Sequence, residues 1–295
     1  MIANQIKITN DNGDSIEFGR HFRLIEGFDL SNLSANISYS ESTNDGTNYQ
    51  RTVLEPRDFD LSFFIHKDIS EPWWIEEKRR ELYRVCNPKH NPMRIDFTTK
   101  GGSSYFINAN LANIPSLPQG FENSNNSWQK GLLQFSCNDP YIYQADEKLV
   151  DVATWVGAFS FPLELSADGI EMGHRSQNLI ANVINDGDSD SGMIIRFTAL
   201  ANVVNPKLVN IETLEELKLN FEMLSQDIVE VSTYEGKKSV TYIRSNVRRN
   251  IFNRIDLNSK FFQLSPGDNL FKYDADFGID NLEVVMLFTN RYVGV

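Results

Sequence analysis

Cysteine is nearly absent from the 295 residues: there are two, Cys86 and Cys137. Neither has a second Cys or a His at metal-ligand spacing, which argues against a zinc site and leaves both as reduced core residues. Long apolar runs are missing too. The best, residues 284–288, follows Glu283 and falls well short of the ~18–20 residues that cross a bilayer, so no membrane insertion is expected. The stretch from Met1 to Lys7 has no basic region followed by an apolar one, so the chain reads as made and folded in a cytoplasm. Positive charge is in short supply: 28 Lys and Arg face 40 Asp and Glu, a net charge of −12. Up to Ala145 the count is 14 basic against 18 acidic residues, and beyond it 14 against 22, so neither half offers the basic face that specific nucleic-acid binding needs. The four histidines, His21, His66, His90 and His174, stand singly, with no His-Glu-x-x-His and no sign of a His-based triad. No Gly-x-Gly-x-x-Gly occurs, and Gly236-Lys237-Lys238 lacks the upstream glycine and the hydroxyl of a phosphate loop. The sequence thus nominates no catalytic residue, no metal and no cofactor.

What is present is strand and turn. The length suggests two domains of ordinary size, and Asp139-Pro140 followed by Asp146-Glu147-Lys148 marks a boundary, giving 1–145 and 146–295. Ile6 and Ile8 alternate with polar neighbours, Asn12-Gly13 supplies a turn, and Ser15 to Phe18 returns, which predicts a hairpin. Leu33 to Arg57 is polar, with a tip at Ser38 to Asn48 between apolar pairs; it buries little in its own domain and is either a mobile loop or an arm ordered against a neighbouring subunit. Phe59, Leu61 and Phe63 alternate with Asp60 and Ser62 as a half-buried strand. Ser70-Glu71-Pro72 opens a helix through Trp73 to Cys86, and Asn87-Pro88 ends it. Beyond residue 146 the pattern favours a β-sandwich; Leu214 to Met223 has helical composition but period-2 alternation, and the periodicity predicts a strand.

Three segments invite a chemical reading. Asn185 to Gly192 spaces carboxylates like a calcium loop, but Ser191 stands where the loop needs glycine and Phe197 where it needs the closing Glu, so a polar turn is the better account. Trp155, Phe159 and Phe161 would suit a sugar-stacking platform, although alternating aromatics of this kind more often fill a sandwich core. A carboxylate pair for glycan hydrolysis depends on spatial and not sequential spacing, and no pair stands out.

The order of several short phrases resembles the distal tail protein (Dit) family of long-tailed phages and prophages of Gram-positive bacteria. These phrases are Asn10-Asp11-Asn12-Gly13, Asp45-Gly46, Leu54-Glu55-Pro56-Arg57, Asn87-Pro88-Lys89, Cys137 to Tyr141, Phe161-Pro162-Leu163, Asn185 to Asp188, Asn205-Pro206 and Leu264 to Asn269. The resemblance implies a mainly β chain of two β-sandwich domains, the first with one helix and a protruding hairpin arm, the second galectin-like. It implies a structural part and no enzyme: a hexameric ring hub at the virion's distal tail tip, joining the major tail tube protein, the tape measure protein and the tail-associated adhesion or fibre protein, with DNA passing through. Interface candidates on the arm are Ile37, Tyr39, Asp45, Gly46, Tyr49, Leu54 and Arg57. The alternative is a carbohydrate-binding module for host cell-wall polysaccharide, with Trp155 as the contact. The chain has no room for the extra sugar-binding module that some members insert in the C-terminal half.

Overall fold

Alternation of buried and less buried residues organises the long strands of the two cores. A computed structural model describes residues 5–42, 45–66, 75–125, 127–152 and 180–295, with the backbone of 155–156 and 174–175. The chain forms two units, Met1–Asp146 with Tyr292–Val295, and Glu147–Arg291; the last four residues therefore belong with the first. The chain is mainly β.

The strands of the first unit are β1 (Gln5–Thr9), β2 (Ser15–Phe18), β3 (Phe22–Leu24), β4 (Ala35–Glu41), β5 (Thr47–Leu54), β6 (Arg57–His66), β7 (Met93–Thr98), β8 (Ser104–Leu111), β9 (Trp128–Cys137) and β10 (Ile142–Gln144), with helix α1 (Ile75–Val85) between β6 and β7. The sheet order is β2-β1-β7-β8-β9-β6-β3, with β10 also against β8. One layer, β2-β1-β7-β8, passes into the other, β9-β6-β3, where Asn110 and Leu111 pair with Ser136 and Phe135. The first and last strands in this order, β2 and β3, are neighbours in sequence. The Gly19 amide donates to the Phe22 carbonyl at 2.8 Å and the Phe18 and Phe22 rings lie 5.9 Å apart, so the sheet folds over with its two ends together.

Between the layers sit Ile6, Ile8, Phe18, Phe63, Ile95, Phe97, Leu133 and Phe135, all buried. Each such side chain contributes about 1.5–3 kcal/mol. Phe63 faces Gly131 across β6 and β9, and a Cβ on Gly131 would lie 2.3 Å from the ring's Cζ; only glycine admits the ring there. Helix α1 covers the core with Ile75, Leu82 and Val85, one stripe of a 3.6-residue period. Its expected start at Ser70-Glu71-Pro72 and Trp73 lies outside the described residues. Past its end, Asn87 takes an extended conformation and its side chain accepts from the Lys89 amide.

In the second unit, β11 (Lys148–Asp151), β15 (Met193–Ala199), β19 (Ile228–Ser232), β20 (Ser239–Arg244), β21 (Val247–Asn250) and β23 (Leu282–Phe288) form one sheet, in the order β11-β23-β15-β19-β20-β21. Strands β14 (Ile180–Asn185), β16 (Val203–Asn210), β17 (Glu216–Lys218), β18 (Glu222–Met223) and β22 (Gly267–Phe277) form the other, ordered β14-β22-β16-β17 with β18 on β16. Val183, Ile195, Phe197, Leu208, Val231, Phe271, Met286 and Phe288 fill the space between them, the layout of a galectin-like sandwich. The strand expected at Leu214 to Met223 is instead two short ones, β17 and β18, interrupted at 219–221, with Leu217, Leu219 and Met223 buried. Leu214 falls instead in the preceding turn, 80% exposed with φ 57°. Two short strands, β12 (Trp155–Val156) and β13 (His174–Arg175), pair with each other.

Candidate functional site

The arm is a two-stranded sheet of its own, since β4 and β5 pair with each other and with no other strand among the described residues. Almost every residue of the two strands is exposed or partly so, which leaves no core to stabilise them. A lone hairpin of this kind is marginal in water, so its order depends on what covers it. Gly46 provides the left-handed backbone near the tip at φ 98°.

Register decides which side chains the arm presents. Ala35 pairs with Leu54, Ile37 with Thr52 and Ser38 with Arg51, but Tyr39 pairs with Tyr49, so Gln50 is an extra residue on β5. This β-bulge changes the parity of β5. Without it, Tyr49 would share a face with Arg51 and Val53; with it, Tyr49 joins Thr52 and Leu54 beside Ile37 and Tyr39. The Tyr49 hydroxyl donates to Thr52 Oγ1 at 3.0 Å on that face. Ile37, Tyr39 and Tyr49 are 44%, 55% and 63% exposed, an apolar surface with no cover from the described residues. Burying the open part of each tyrosine, on the order of 100–150 Å², is worth about 2–4 kcal/mol. Asp45 lies exposed beside Gly46 at the tip, and Leu54 is half-buried at the root.

Arg57 departs from the expectation that placed it on the interface. It is 1% exposed, its Nε donates to the Pro140 carbonyl at 3.0 Å, and its Nη atoms donate to the carbonyls of Leu30 and, at 2.6 Å, Val293. Desolvation lowers the guanidinium pKa, while carbonyl dipoles hold the charge. Arg57 therefore fastens the root of the arm to the segment after β9 and to the chain's last residues. It cannot also reach a neighbour. Parity could have shown this: Arg57 is in step with Phe59, Leu61 and Phe63 on the inward face of β6. Near the same root, the Ser31 side chain and amide hold the Asp29 carboxyl below its usual range.

The remaining nominations are placed as follows. Trp155 lies in β12, but its side chain, with Phe159 and Phe161, is outside the described residues. The loop at 185–192 is closed from within: the Asn185 amide donates to the carbonyls of Leu264 at 2.8 Å and Ser189 at 3.1 Å, and its Oδ1 accepts from the Gly187 amide. Among the described residues no three His, Cys, Asp or Glu converge as a metal site. Asn10, Asn210 and Asn269 act likewise on other turns, their amide groups bonded to backbone within the fold. The polar phrases are turn-closing devices that bond mainly within their own turns; Asn10, Asn185 and Asn269 each add a partner far away in sequence, Val85, Leu264 and Val183, which the sequence does not display.

A folded-over sheet unit carrying a separate two-stranded arm is followed by a two-sheet sandwich, and two family models of phage tail components match these units in that order. The phage tail protein RIFT-related domain matches residues 13–137, and the siphovirus-type tail component C-terminal domain matches residues 186–292. The chain belongs to the siphophage distal tail protein family. Among solved structures it resembles the Dit protein of phage SPP1, described as a paradigm of the hub adsorption apparatus in phages infecting Gram-positive bacteria, with 14% identity over 97% of this chain and 98% of that one and a TM-score of 0.65. It also resembles a chain of the phage P2 baseplate in its activated conformation with Ca, with 11% identity over the whole of both chains and a TM-score of 0.61. A comparison with curated protein sequences gives no significant match.

Proposed function

We infer that this distal tail hub protein works by self-association into a closed ring, hexameric as the family resemblance implies, at the virion's distal tail tip. The first domain forms the ring, and each arm lies against the next protomer. A head-to-tail contact of this kind closes when the rotation per subunit divides the circle. The ring joins the major tail tube protein, the tape measure protein and the tail-associated adhesion or fibre protein, and leaves a passage for DNA. Asp45 and Gly46 set the tip, and Ile37, Tyr39, Tyr49 and Leu54 supply the contact. The observation that carries this reading is the bulge at Gln50, which gathers the two tyrosines on one uncovered face.

The test is size-exclusion chromatography with light scattering on the full chain and on Tyr39→Ser/Tyr49→Ser. The expected result is a ring for the parent chain, and a folded monomer with unchanged circular dichroism for the variant. Rings that survive the double change, or deletion of Ser38 to Asn48, would remove the arm from the contact.

A further inference from the structure

The chain's acidity hides one basic stretch. From Gly236 to Ile255 there is no carboxylate, while Lys237, Lys238, Arg244, Arg248, Arg249 and Arg254 all occur there. Topology places these residues on the hairpin β20–β21 and the turns before and after it, with Arg248 and Arg249 on the terminal strand of the six-stranded sheet. All four residues of β21 are exposed, and among the described residues no strand pairs with its outer side. The two-residue turn Ser245-Asn246, with φ of 49° and 63° and no glycine, ties β21 closely to β20.

Charge alone could be a guard against edge-to-edge aggregation. Two further features describe an occupant. First, the chain's own carboxylates already sit against the inner part of this arginine group: Glu230 accepts from Arg196 at 2.8 Å and lies 3.7 Å from Arg248, and Asp227 lies 3.5 Å from Arg244. The side chains of Arg244 and Arg248 remain 50% and 69% exposed, with donors to spare for further carboxylates. Second, apolar groups flank the arginines, Val247 at 54% and Phe252 at 40% exposure. Arg248 pairs across the hairpin with Ile243 and Arg249 with Tyr242, so guanidinium groups stand on both faces of the edge.

We propose that β21 is a docking edge for an extended acidic segment of a partner protein, which adds as a further strand and places carboxylates against Arg248 and Arg249. Free backbone groups on the edge match a peptide better than they match a phosphate polymer or a sugar. Arginine forks match carboxylates in pairs. The site lies in the second domain and does not depend on ring formation.

The experiment titrates the full chain with a capped, labelled peptide repeating Val-Glu-Glu, whose adjacent carboxylates face both sides of an added strand, read by fluorescence anisotropy at low and high salt. Saturable binding is expected, weaker by at least tenfold at high salt, for Arg248→Glu/Arg249→Glu, and for a peptide N-methylated on alternate residues. Arg248→Lys/Arg249→Lys, which keeps the charge but loses the forks, should bind more weakly than the parent and more tightly than the Glu variant, and circular dichroism checks that both variants are folded. Absence of binding overturns the proposal. So does equal binding of the N-methylated peptide or of a Val-Gln-Gln peptide, or displacement by inorganic polyphosphate at equal charge, which would mean that the arginines attract any polyanion.

Discussion

Replacing Arg57 by alanine separates its two assignments, interface contact and internal fastener, because they predict opposite phenotypes. The substitution strands the buried carbonyls of Leu30 and Pro140, and takes the guanidinium from the partly buried carbonyl of Val293. Each buried acceptor left without a donor costs ~1–3 kcal/mol. Part of that is offset, because the charge no longer has to be desolvated, the same burial that lowers the Arg57 pKa. A net loss of about 3 kcal/mol is expected, a large share of the ~5–15 kcal/mol that holds a domain together. For a unit of this size that corresponds to a fall of roughly 6–12 °C in melting temperature. Differential scanning calorimetry of the isolated chain measures it, and limited proteolysis should show new cleavage near Leu30 and the C-terminus. Arg57→Lys, with one donor group in place of a fork, should recover only part of the loss. A shift under ~2 °C, combined with lost assembly, would refute the reasoning and return Arg57 to the interface.

Gly131→Ala should destabilise the first unit by ~1–3 kcal/mol in a urea melt, because the new methyl meets the Phe63 ring; Phe63→Leu in the same chain should recover part of that, a coupling that a double-mutant cycle reads directly. Asn10→Ala removes the bond to the Val85 carbonyl at 3.1 Å and leaves the amides of Asn12 and Asp14 without their acceptor, so a loss of about 1–3 kcal/mol and faster hydrogen exchange at those two amides are expected. Burial pushes the thiols of Cys86 and Cys137 from 9.0 up to about 12. Because the folded values are the higher ones, this stability is complete below pH 9 and is lost as pH climbs from 9 towards 12, at up to ~1.4 kcal/mol per pH unit per thiol. Urea midpoints measured across that range should fall, and both thiols should react with a disulfide reagent only as fast as the unit opens.

Much of the chain was legible from short-range pattern alone, since strand burial has a period of two residues and turns need particular backbones. The hairpin at Ile6 to Phe18 and the strand at Phe59 to Phe63 follow from apolar alternation, with Gly13 at positive φ in the hairpin turn. The exposed arm was readable for the same reason, as a segment too polar to bury itself. Tertiary structure alone decided three things. A single unpaired residue, Gln50, sets which tyrosines share a face, and register belongs to a pair of strands, not to either sequence. The partners of Arg57 come from residues 30, 140 and 293, brought together only when the first unit closes. A net charge of −12 conceals the arginine edge of β21 because charge averages along a chain, whereas a partner meets only the charges that folding places side by side.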